Sequence, residues 1–104
     1  MGYDINTSDH EYTGYLSYNH SRFSDYWYIG DHLENQNGAT VLANLKTGLA
    51  KLQAAGFEPV MLEGQDCWTP TENVFMYLLK RMHDKIEASI RRWPHHANAI
   101  YTVD

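Results

Sequence analysis

His10, His20, His32, His83, His95 and His96 are the side chains best suited to moving protons or holding a metal near neutral pH. The tightest grouping is Asp31-His32-x-Glu34. With His20 folded back over it, the set His20, Asp31, His32 and Glu34 would offer four ligands to a metal ion. Neither an H-E-x-x-H helix nor a cysteine pair accompanies it, so the same residues also read as a solvated polar loop. His95-His96 follows Pro94, and neighbours on an extended segment point opposite ways, which suits a polar connector. Cys67 is the only cysteine, so no internal disulfide forms. A helix starting just beyond it would favour the thiolate. Asp66 beside it opposes that charge, and no spacing places a base. Gly-rich phosphate loops, the G-x-S-x-G elbow and a paired-carboxylate signature are missing. The sequence therefore assigns no catalytic residue and no cofactor, and a metal-dependent enzyme is the third reading of its function.

Charge and aromatic content point to binding. The net charge is −5, and the first 37 residues carry Asp4, Asp9, Glu11, Asp25, Asp31 and Glu34 against Arg22 alone. Nucleic-acid binding needs clustered Lys and Arg to displace counterions, and this third of the chain lacks them. Six of the eight tyrosines, Tyr3, Tyr12, Tyr15, Tyr18, Tyr26 and Tyr28, also fall here. Tyrosine is large and stiff with a polar tip, which suits interfaces. Cross-strand pairs in a small core use it equally well. An acidic, aromatic surface matches a basic protein partner. The interface set is Tyr15, Asp25, Tyr28, Asp31 and Glu34. The second reading is a pocket between sheet and helix, lined by Tyr18, Trp27, Trp68 and Arg81. Aromatic rings would stack on a base there and the arginine would hold a phosphate, as in a nucleotide or other small ligand.

These residues need a scaffold, and 104 residues with 43 % apolar content supply one domain. The longest apolar run, Val74 to Leu79, is far short of the roughly 20 residues that span a membrane. Met1-Gly2-Tyr3-Asp4 is no secretory signal, so a soluble cytoplasmic chain without membrane contact is expected. Alternation over Tyr3-Asp4-Ile5 and Tyr12 to Asn19, around the turn residues Thr7 to His10, predicts a hairpin. Tyr12, Leu16 and Tyr18 fall on its buried face, with Thr13, Tyr15, Ser17 and Asn19 on the wet one. Ser21 to Trp27 reads as a short helix with Phe23 and Trp27 on one face, followed by a polar loop to Gly38.

Leu42, Leu45, Leu49 and Leu52 form one stripe of a helix from about Ala39 to Ala55, ended by a left-handed Gly56. Thr69-Pro70-Thr71-Glu72 reads as a capping box starting a second helix to about Arg92, with Pro94 ending it. Phe75, Leu78, Leu79, Met82, Ile86, Ile90 and Trp93 form its apolar stripe. Asn98 to Val103 is a closing strand that returns to the hairpin. The expected class is α+β in two layers: a three-stranded antiparallel sheet in ββααβ order, with two main helices packed on one face.

Gly2-Tyr3-Asp4-Ile5, the strand Ser17-Tyr18-Asn19-His20-Ser21, the leucine helix, Trp68 and the closing strand share an order of motifs with a known group. The chain resembles small uncharacterised proteins encoded by bacteriophages and other mobile elements. The resemblance implies a bacterial setting, in which such an acidic protein binds and blocks a host protein, for instance one of a defence system. It implies no catalytic residues. A homo-oligomer is also compatible with it.

Overall fold

The computed structural model describes residues 2–17, 22–23, 27–61 and 71–104. Two long helices lie against one face of a three-stranded antiparallel sheet, as the sequence predicts. The sheet is built from β1 (Gly2–Thr7), β2 (Thr13–Ser17) and β5 (Tyr101–Val103), in the order β2-β1-β5. Ile5 stands opposite both Gly14 and Val103, and Thr7 opposite Tyr101. That register turns Tyr3, Ile5, Thr7, Leu16 and Tyr101 towards the helices, because alternate strand residues share a face. Between the closing strand's two possible faces it selects Tyr101 and Val103 for the inside, with Thr102 exposed. Ser17, expected on the wet face, is buried at the end of β2.

The turn after β1 uses His10 at φ 62, whose N–H donates to the Thr7 carbonyl. Past β2, the chain departs from the expected short helix. Arg22–Phe23 (β3) and Trp27–Tyr28 (β4) form a small antiparallel ladder, with Phe23 opposite Trp27. Aromatic residues fit a pleated ladder, and the i,i+4 spacing that suggested one helix face equally suits partners across a hairpin.

The segment expected as loop begins with a single helical turn, α1 (Ile29–His32). Ile29 and Leu33, four apart, are buried and anchor it, leaving Gly30, Asp31 and Glu34 exposed. Asn44 Nδ2 donates to the His32 carbonyl at 3.0 Å, satisfying one open helix end. The chain then runs along the outer side of β5. Asn35 N–H donates to the Tyr101 carbonyl and Tyr101 N–H to the Gln36 carbonyl, both at 2.9 Å.

Helix α2 (Gly38–Ala54) starts where Asn37 Oδ1 accepts from Thr40 N–H at 2.8 Å. Its buried line is Val41, Leu45, Gly48 and Leu52, with Leu42 and Leu49 half-covered beside it. The centre of contact therefore lies one position away from the leucine stripe, with Gly48 on the buried line. The helix ends as predicted. Gly56 takes φ 95, its N–H donates to Gln53 O, and Phe57 N–H donates to Leu52 O, which is a Schellman motif.

Helix α3 (Glu72–Arg92) is capped by Thr71, whose hydroxyl accepts from Val74 N–H at 3.3 Å. The cap thus falls two residues later than the predicted Thr69; Thr69 and Pro70 lie outside the described residues. Either threonine can cap, and here Asn73 Oδ1 also accepts from Glu58 N–H at 3.0 Å, tying the first turn to the chain after α2. At ~1.5 Å per residue this helix approaches the 38 Å long axis of the molecule. Phe75, Leu79, Met82 and Ile86 form its core line, joined by Val74, Met76 and Ser89. Pro94 does not lead into an extended connector. It opens a 3-10 helix, Pro94–Asn98, that packs on α2 and α3. Among the described residues no helix is long and apolar enough to cross a membrane.

Candidate binding surface

Both helices cover one side of the sheet, and on its other side Asp4, Thr13, Tyr15 and Thr102 stand in solvent while Ser17 is buried. Asp4 lies opposite Tyr15, and its backbone exchanges two 2.9 Å hydrogen bonds with Asp104. Asn6 lies between Thr13 and Thr102 in the next row, and Ile100 follows beyond it. Asp4, Thr13, Thr102 and Asp104 are exposed. Tyr15 at 53 % and Ile100 at 41 % are the exposed large apolar side chains among the described residues. The Tyr15 ring is nevertheless placed: it lies across Gly2, where a β-carbon would collide with its phenol end. A glycine under an aromatic ring keeps an exposed tyrosine flat on its strand. The surface is an acidic sheet face with one preset aromatic ring.

Of the predicted interface set, Tyr15 falls on this face. Asp31 and Glu34 are exposed on the far flank, beyond the edge of β5. With strands ~4.8 Å apart, the three do not share a single row. Tyr28 is half-buried with its ring against Gly30, and Asp25 lies outside the described residues.

The predicted ligand pocket is described in part. Arg81 lines a cleft of about 200 Å³ between β2 and α3, with Tyr12, Tyr15 and Lys85. Trp27 enters β4 through its backbone, and Tyr18 and Trp68 lie outside the described residues. Lys85 Nζ donates to the Thr13 carbonyl at 2.9 Å and sits 4.9 Å from the Tyr12 ring centre, closing one end of the cleft.

Of the metal set, His20 lies outside the described residues. His32 Nδ1 lies 2.7 Å from the Tyr28 carbonyl and 3.3 Å from the Tyr28 nitrogen, so the ring is turned back onto its own helical turn. Among the described residues no three His, Cys, Asp or Glu side chains are grouped to hold a metal ion.

One constellation escaped the sequence reading. His96, expected in a polar connector, is fully buried, while His95 beside it is exposed. His96 Nδ1 lies 2.8 Å from Asp9 Oδ2, and Nε2 lies 2.7 Å from the Tyr101 hydroxyl. A carboxylate only accepts, so Nδ1–H donates to Asp9 and Nε2 accepts the Tyr101 O–H. Thr7 Oγ1 and Glu11 N–H also donate to Asp9 Oδ1, at 2.8 and 3.1 Å. Partial burial pushes the Asp9 carboxyl up, but these hydrogen bonds and the His96 ring outweigh it and hold it at about 2. Burial raises the Tyr101 phenol, as do Tyr12 and Asp9 nearby. The order carboxylate, imidazole, hydroxyl is that of a catalytic triad. Its hydroxyl end is sealed in the core against Tyr12, with ring centres 5.6 Å apart, so it acts as a tether between the first turn and the last strand. No spacing could have announced it, since Asp9 and His96 are 87 positions apart.

Compared with family models, curated proteins and solved structures, the chain matches none of them.

Proposed function

We propose that this chain is a binding protein that offers the outer face of its sheet to a basic protein surface. The observation that carries the reading is Tyr15: an exposed, preset ring with Asp4 directly across the ladder and Asp104 one strand further. A rigid aromatic flanked by carboxylates gives apolar contact at low entropic cost and selects a positively charged partner. The same carboxylates repel phosphate, which argues against nucleic acid at this face. The resemblance to small phage proteins makes a host protein the natural partner. A standard interface buries roughly 800 Å² on each side, so the contact would extend from the three strands onto flanking surface.

Capture from bacterial lysate, read by quantitative mass spectrometry, tests this. The wild-type chain should retain a basic protein in stoichiometric amount, released as salt is raised. The folded Asp4→Lys, Tyr15→Ser double variant should retain it poorly. Equal capture by both forms, or no specific capture by the folded wild type, sinks the proposal.

A further inference from the structure

Residues of α2, of α3 and of the chain after α2 line a cavity of about 820 Å³. Its walls follow from helix periodicity. Lys46, Leu49 and Gln53 repeat at three and four on α2, and Met76, Lys80 and His83 do so on α3. Phe57 to Val60 close the third side.

We propose that this cavity binds a small amphipathic carboxylate, an aliphatic or aryl body carrying one acid group. The volume lies within the roughly 300–1,000 Å³ of small-molecule sites. Leu49, Phe57 and Met76 give an apolar floor for the body. Lys46 and Lys80 line it from different helices, and Glu58 is the carboxylate among the described lining residues. Lys80 is held 3.1 Å from Asp84, while Lys46 has no ion-pair partner among the described residues.

His83 adds a polar wall. Its Nδ1 lies 3.0 Å from Asp84 Oδ1, which accepts the proton it carries. Its Nε2 is the buried side-chain polar atom among the described residues that lacks a partner. With the proton on Nδ1 this atom can only accept, so a carboxylate finds no donor there and the acid group is held by the lysines. An alcohol of equal length would satisfy Nε2 but leave the lysines unmatched, and an alkylammonium would meet them with like charge.

Isothermal titration of the full chain with decanoate, decanol and decyltrimethylammonium, all below their aggregation limits, is the test. Decanoate should bind saturably and about tenfold more tightly than decanol, as expected where one partner is ionised. The ammonium should not bind. Lys46→Gln should erase most of the preference for acid over alcohol. Ala50→Trp, an exposed lining position, should block the cavity while circular dichroism stays unchanged. Equal binding of acid and alcohol, binding that survives Ala50→Trp, or no saturable decanoate binding overturns the proposal.

Discussion

The Asp9–His96–Tyr101 tether shows how much one residue can hold. Each group satisfies the next, so removing one leaves a buried atom without a partner. Tyr101→Phe keeps the ring and its packing but strands His96 Nε2, and should cost about 1–3 kcal/mol in urea unfolding. Asp9 makes the tether sensitive to acid. Its folded value of about 2 lies below the ordinary 3.8, so its stabilisation is complete above roughly pH 4 and is lost as pH falls through 2. Because the carboxylate is still 16 % exposed, we expect a loss on the order of 1 kcal/mol between those limits. Asp9→Asn should flatten that part of the stability–pH curve, and acid titration followed by circular dichroism checks it.

Elements here are set by their ends and by the places where backbones meet. Gly38 opens α2 directly beneath the 3-10 helix, and a β-carbon at this position would run into the His96 carbonyl. Backbone cannot swing aside as a side chain can, so Gly38→Ala should destabilise by about 1–3 kcal/mol despite its better helix propensity. Thermal melting decides this, and an unchanged or raised melting point would refute the close approach. Thr71→Ala removes the α3 cap and should cost about 1 kcal/mol by the same measurement. The sequence announced a threonine cap but pointed to Thr69, because Pro70 suits the first helical position and Glu72 the third. The observed start, at Thr71, is accompanied by Asn73 accepting from Glu58 N–H, a contact 15 positions away.

Across the whole molecule, one core joins both layers. Ile5, Leu16 and Tyr101 from the sheet meet Leu45, Leu52, Phe75, Leu79 and Ile86 from the helices. Leu45→Ala and Ile86→Ala should each cost about 2–5 kcal/mol, and unfolding should remain a single transition by both near- and far-ultraviolet signals. A variant that melts the helices before the sheet would show two cores instead. The molecule also separates its charges. An acidic sheet face and a helix layer whose cavity is lined by Lys46 and Lys80 mean that the two sites, as proposed, would take ligands of opposite sign.

Local chemistry determined the two-layer plan. The hairpin around Thr7 to His10, the Schellman end at Gly56, the 3.6-residue stripes of both helices and a closing strand all follow from side-chain periodicity and turn residues near in sequence. Tyr15 as an exposed tyrosine was legible in the same way, from alternation along one strand. What depended on distant partners was not. Phe23 and Trp27 at i,i+4 fit a helix as well as a ladder, and only the register of β3 with β4 chose between them. Ile29 and Leu33 became core because Asn35 and Gln36 bind the edge of β5. His96 became buried because a carboxylate 87 positions away and a phenol five positions on met its two nitrogens. Periodicity reports which face a residue shares with its neighbours. The partner across the core, which fixes burial and hydrogen bonding, exists only once the chain has closed.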